Sequence, residues 1–259
     1  MKNTRRFAFI AGLCAAAASA QAESQSTKLL YELSAAGVGA ADFTVVAQFE
    51  NGGYRIDAQG TTYGAVDLMN SLTVSAMSVG LLAGEAVQPQ FFGTSNLYNG
   101  DDRRTRVTWT AGEAITQEIV PTLAEEERTA IPDDARQGAL DPIAALLSFA
   151  TGGPARDVCE GGVKVFDGRR SYTLALDAAD GTGIVEQRQV GGQSVPALKC
   201  RITSVRTGGK SPDGWLSSSS DSEHALIWFW RDPLGRAIPF RIEANAPIGS
   251  AVAQLAALP

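Results

Sequence analysis

Asp167-Gly168, set between Val163-Lys164-Val165-Phe166 and Ser171-Tyr172-Thr173-Leu174, constrains this chain more than any other short stretch. An Asp-Gly pair between apolar or alternating runs marks a hairpin, because the favoured tight turns need backbone conformations that Gly and Asp tolerate. Cys159 stands just before this hairpin, and Cys200 falls in the second strand of the next predicted pair. The region therefore reads as antiparallel ribbon with a cysteine at either end.

The same pattern recurs along the chain. Residues 29–35 alternate loosely. Phe43, Val45, Ala47 and Phe49 then share one face, Asn51-Gly52 turns, and residues 54–59 alternate without a slip. Such alternation predicts a hairpin buried on one side. Residues 104–110 and 114–120 predict another across Ala111-Gly112-Glu113, with Trp109 facing inward. Residues 65–83 suit helix or strand, and their flanking glycines favour strand. Further strands are expected at 91–98, 183–190, 195–206, 225–230 and 238–244. The alanine-rich residues 247–259 suggest a weak terminal helix.

One helix is clear in the sequence. Asp141 can cap it, Pro142 suits its first turn, and Gly152-Gly153-Pro154 ends it. Ile143, Leu146, Leu147 and Ala150 form one apolar stripe, so a helix at about 142–150 must lie on the sheet. Residues 121–140, with Glu125-Glu126-Glu127, Asp133-Asp134 and two prolines, read as a mobile acidic loop. About twelve strands, one short helix and no strand–helix alternation define an all-β domain of antiparallel neighbours.

Residues 1–22 have the make-up of a secretory signal. Lys2, Arg5 and Arg6 precede an apolar run, and Ala20-Gln21-Ala22 fits cleavage after Ala22. The expected organisation is a signal peptide at 1–22 and a single β-rich periplasmic domain at 23–259, with no transmembrane segment. Without the signal the chain carries 19 basic and 28 acidic residues, a net −9. That balance disfavours nucleic acid and anionic membrane surfaces. In an oxidising compartment Cys159 and Cys200 are expected to form a disulfide, closing a loop of about 42 residues. A metal pair is the rival reading, but one histidine in the whole sequence leaves too few further ligands. No metal and no cofactor is expected.

Val165-Phe166-Asp167-Gly168-Arg169-Arg170-x-Tyr172, Cys159 before it, the Asp141-Pro142-Ile143 helix start and Tyr31-x-Leu33 ahead of Gly37-x-Gly39 resemble domain-of-unknown-function family 3108. The resemblance covers nearly the whole exported part. It implies a periplasmic or cell-envelope protein with no established reaction, built on a strongly curved antiparallel sheet, a half-barrel or β-spiral. It carries over no catalytic residue, only the expected bridge between Cys159 and Cys200.

His224, inside Asp221-Ser222-Glu223-His224, invites a hydrolase reading, but neighbouring strand residues point to opposite faces. Residues 225–230 are apolar on both faces, with Trp228 and Trp230 on one and Ile227 and Phe229 on the other. Such a strand needs cover on both sides: a second layer, or a hollow holding an apolar ligand. The sequence thus points to a non-enzymatic protein of the cell envelope. It would bind a lipid-like or peptide ligand, with Trp109, Trp228 and Trp230 as candidate contacts, or an envelope protein partner. An envelope assembly or structural factor, docking through the acidic 121–140 segment, is the alternative; an envelope hydrolase using His224 is a third.

Overall fold

Backbone pairing follows the alternation written into the sequence. The computed structural model describes residues 25–259 apart from 70, 126–130, 152–157, 179–183, 210–221, 234 and 247–248. The expected signal sequence and much of the serine-rich 208–222 loop lie outside the described residues. In chain order the elements are β1 (Gln25–Ala35), β2 (Val38–Glu50), β3 (Gly53–Thr62), α1 (Gly64–Met69), β4 (Leu72–Ala83), β5 (Ala86–Tyr98), β6 (Asp101–Thr110) and β7 (Glu113–Val120). A 3-10 turn at Asp133–Ala135 and α2 (Pro142–Ala150) follow. The second half comprises β8 (Gly162–Phe166), β9 (Ser171–Ala178), β10 (Ile184–Val190), β11 (Gln193–Gly208), β12 (Ser222–Arg231), β13 (Ala237–Ala246) and β14 (Gly249–Leu255).

These strands form one sheet, ordered β7-β6-β5-β4-β3-β2-β1-β14-β13-β12-β11-β9-β8, with β10 paired to β11 beyond the end of β9. The first half is a run of sequence-adjacent antiparallel pairs, and the second is too except that β9 pairs with β11; the halves join where β1 meets β14. The alanine-rich terminus is thus a strand, not the expected helix. Its alanines pair between Leu33 of β1 and Ile242 of β13, and that two-sided pairing overrides the helical preference of alanine.

Helix α2 reveals the curvature. Ala144 and Leu147 pack with Tyr54, Ile56 and Val87 from the first half, while Ala145 and Phe149 pack with Leu176, Cys200, Ile227 and Phe229 from the second. Strands so far apart in the sheet order can share one short helix only if the sheet curls around it. The result is an antiparallel sheet nearly closed into a barrel, with α2 on its concave side. Asp141 starts the helix as expected, its Oδ1 accepting hydrogen bonds from the amides of Ile143 and Ala144 at 2.9 Å each.

The gap between the end strands β7 and β8 is bridged by the segment read from sequence as a loose acidic loop. Gln137 makes an antiparallel bridge to Glu113 of β7, and Leu140 a parallel one to Val165 of β8. Ile131, Ala135 and Ala139 recur every fourth residue and bury against Phe92, Val107, Ala114 and Phe166. The charges of Asp133 and Asp134 obscured this apolar spacing, and residues 131–140 are ordered backbone that lends Ile131, Ala135 and Ala139 to the core. Glu126 and Glu127 lie outside the described residues.

The Asp167-Gly168 hairpin is real but longer than a two-residue turn, since Phe166 pairs with Ser171 across four residues. Asp167 closes it: Oδ1 accepts from the amides of Arg169 and Arg170, and Oδ2 from the Arg170 guanidinium at 2.7 Å. Arg169 then donates to the carbonyls of Val120 and Pro121, tying this turn to the far edge of the sheet. Gly168 has φ +91°, and a Cβ there would collide with the side chain of Thr105 and come within 3.0 Å of Val107 Cγ2. Gly168→Ala is therefore expected to cost roughly 2 kcal/mol, from backbone strain and from steric clash. Urea denaturation checks this, and an unchanged midpoint would contradict the close approach.

Candidate functional site: the concave face and its surroundings

Cys159 and Cys200 form the expected disulfide, with Cα atoms 5.2 Å apart. The bridge lies under α2 among Ala145, Phe149, Leu176 and Ile227, fully shielded from solvent. It joins the segment before β8 to the middle of β11, across β9, so it fixes the second half of the sheet where the helix docks.

The three candidate tryptophans are not brought together. Trp109 belongs to the closure between β7 and β8, where its Nε1 donates to the Ala139 carbonyl at 2.7 Å. Trp228 and Trp230 sit on the opposite face of β12 from Ile227 and Phe229, as alternation requires. A second layer meets them: Val190, Val195 and Ala197 of the β10–β11 hairpin pack on Trp228 with Ile238 and Phe240. Trp228 Nε1 donates to Glu186 of the same hairpin, and Arg188, Lys199 and Arg241 lie 5.1–5.8 Å from its ring centre. Burial under this lid explains the doubly apolar strand at 225–230.

His224 is exposed on β12, its Nδ1 3.1 Å from the Thr203 hydroxyl across the pair with β11. Asp221 lies outside the described residues. Among the described residues no group of three His, Cys, Asp or Glu side chains is placed to hold a metal ion.

The feature that sequence reading missed is the concave face beyond the end of α2. Register assigns its residues. Ala76 of β4, Ala58 of β3 and Val45 of β2 form one row, and Val74, Gly60 and Phe43 the next. On the other side, Ala251 of β14, Ala244 of β13, Ala225 of β12 and Ile202 of β11 form a third. The Phe43 ring lies directly over Gly60, where a Cβ would overlap it. Beneath α2 this face is sealed, as Ile56, Leu176, Ile227 and Phe229 show. Farther along, Phe43, Val74, Ala76, Ala225, Ala244 and Ala251 are only partly buried and stand outside the clusters that enclose the helix. The signal was available as alanine at the inward position of consecutive strands, but it carries meaning only once the register is known.

A polar chain anchors the helix at the edge of this surface. Ser78 of β4 donates to Asp141 Oδ2 at 2.8 Å and lies 3.2 Å from the Tyr54 hydroxyl, all three being buried. Burial pushes the Asp141 carboxyl up to about 6, against the opposing hydrogen bonds from Ala144, Ser78 and Ile143. The Tyr54 and Tyr172 phenols are raised by burial as well, and stay neutral.

Fold and interior define a class: a helix-plugged, almost closed antiparallel barrel, stapled by one buried disulfide. The sequence matches the profile described as "Protein of unknown function (DUF3108)" over residues 30–256, so the chain belongs to that family. Among solved structures, a β-barrel-like protein of domain of unknown function DUF1849 from Brucella abortus is similar, with a TM-score of 0.52 and 10% identity. That alignment covers 92% of this chain and 97% of the other, and it speaks to fold alone. No curated protein matches the sequence. Among the described residues no helix is long and apolar enough to cross a membrane.

Proposed function

We propose that this is a non-enzymatic protein of the periplasm and cell envelope that holds an apolar, lipid-like ligand on its concave face. One observation carries the reading. On β2 to β4 and on β11 to β14 the inward residues beyond α2 are apolar, several are alanines that leave room, and they remain partly exposed although they face the inside of a curled sheet. A half-closed concave surface lined by aliphatic side chains suits a hydrocarbon chain, because burying it removes apolar area from water on both partners. The signal-like make-up of residues 1–22 and the disulfide support the periplasmic location. His224, exposed with Thr203 as its partner, gives little support to a hydrolase.

The test uses the delipidated protein and an apolar fluorescent probe such as 1-N-phenylnaphthylamine. Saturable binding is expected, and Ala244→Phe together with Ala251→Leu should weaken it about tenfold or more by filling the hollow, with the melting temperature little changed. Absence of saturable binding, together with native mass spectra of envelope-extracted protein free of any adduct, would overturn the proposal.

A further inference from the structure

The concave face is apolar over most of its width, and it ends in a polar pair on β5 and β6. Register places Asn96 directly opposite Arg103, with Val74 as the neighbour of Asn96 on β4, then Gly60 and Phe43 on β3 and β2. One continuous row thus runs from Phe43 to Arg103. Four strand spacings give it a length of about 19 Å.

Arg103 differs from the other arginines of its strand. Arg104 lies 3.0 Å from Asp102 and 3.6 Å from Glu118, and Arg106 lies 3.2 Å from Glu118. Among the described residues Arg103 has no carboxylate within ion-pair distance; its guanidinium rests over the Tyr98 ring at 5.5 Å. Asp101, two residues toward the rim on the same face, is exposed and does not pair with it. The facing Asn96 has a buried Oδ1 with no hydrogen-bond partner among the described residues. A buried acceptor without a donor and a cation without a counter-ion, side by side at the end of an apolar row, both lack what one ligand group could supply.

We propose that Asn96 and Arg103 form a head-group subsite that selects an amphiphile with an anionic, hydroxyl-bearing head, such as a phosphate monoester, whose chain lies along Val74, Gly60 and Phe43. This rests on the apolar-ligand reading of the concave face. The planar fork of Arg103 offers parallel donors to two phosphate oxygens, and the P–OH group of the monoanion donates to Asn96 Oδ1.

Three probes of equal chain length separate the two levels: dodecyl phosphate, dodecanol and dodecyltrimethylammonium, each titrated into delipidated protein by calorimetry. Dodecyl phosphate is expected to bind about tenfold or more tightly than dodecanol, and the ammonium probe least. Arg103→Met should bring phosphate affinity down to that of the alcohol without changing alcohol binding, while Arg103→Lys should retain part of the preference. Asn96→Asp should weaken the phosphate probe alone, and it provides the reading if Arg103→Met does not fold. Equal binding of phosphate and alcohol, or a preference that survives Arg103→Met, overturns the subsite while leaving the apolar hollow standing. Failure of all three probes to bind overturns both.

Discussion

Replacing Cys159 and Cys200 together by alanine is expected to lower stability by about 4 kcal/mol. The bridge spans a sequence separation of 41 residues, and the chain-entropy relation gives this magnitude for a loop of that size. For a domain of this length the melting temperature should fall by roughly 10 °C. Typical domains have about 5–15 kcal/mol in total, so the variant would be marginal. Both sulfurs are sealed beneath α2, which adds a kinetic expectation. Reductant added to folded protein should act slowly, because attack needs access, whereas reductant present during thermal unfolding should lower the transition. Equal melting temperatures with and without reductant through a full unfolding cycle would contradict the structural role of the bridge.

Asp141→Ala is expected to destabilise by roughly 3 kcal/mol, through loss of the helix cap and stranding of the buried Ser78 hydroxyl. Asp141→Asn should behave differently. Its amide oxygen can still cap Ile143 and Ala144, and its NH2 can donate to Ser78 Oγ, which then turns its own hydrogen toward Tyr54. The pH dependence separates charge from shape. Burial raises the folded carboxyl to about 6, above its unfolded value of 3.8. Its stabilising contribution is therefore complete below the unfolded value and is lost as pH rises through about 6. Among the described residues the titratable groups coupled to it are the neutral Tyr54 and Tyr172, so no cation rescues the charge. Relative to Asp141→Asn, the native protein should gain roughly 2.4 kcal/mol between pH 7 and pH 4, since each tenfold difference in proton affinity is worth about 1.4 kcal/mol and the unfolded carboxyl is only partly protonated at pH 4. Denaturation of both proteins across that range tests it, and parallel curves would show that Asp141 does not titrate there.

The sequence made the strands legible because most are buried on one side, and a period of two survives wherever polar residues face water. Asn51-Gly52 is the plainest case, with φ of 51° and 73° at the two turn positions and Phe49 paired with Tyr54. Helix α2 was legible because its cap, its proline and its stripe agree. The closure at 131–140 was not, since Ile131, Ala135 and Ala139 bury a period-four pattern inside a charged stretch too short to register as a helix. The tryptophans do not mark the concave surface. Trp228 serves to hold the β10–β11 hairpin on the sheet, a long-range contact that no local pattern announces. The concave surface is instead a matter of register: Ala225, Ala244 and Ala251 are ordinary residues until β11 to β14 are aligned.

Pairing of the first strand with the last has a consequence for how the molecule assembles. Tyr31 meets Leu255, and the Tyr31 hydroxyl reaches the Pro239 carbonyl, while within each half nearly every strand pairs with its immediate successor. Each meander can form at small loop-closure cost, whereas β1 with β14 closes the longest loop of any strand pair and is expected to form last. Until then both flanks of the unfinished molecule present open strand edges, and a circularly permuted chain, joined from Pro259 to Gln25 and cut at Asn51-Gly52, would turn that last junction into an early local hairpin.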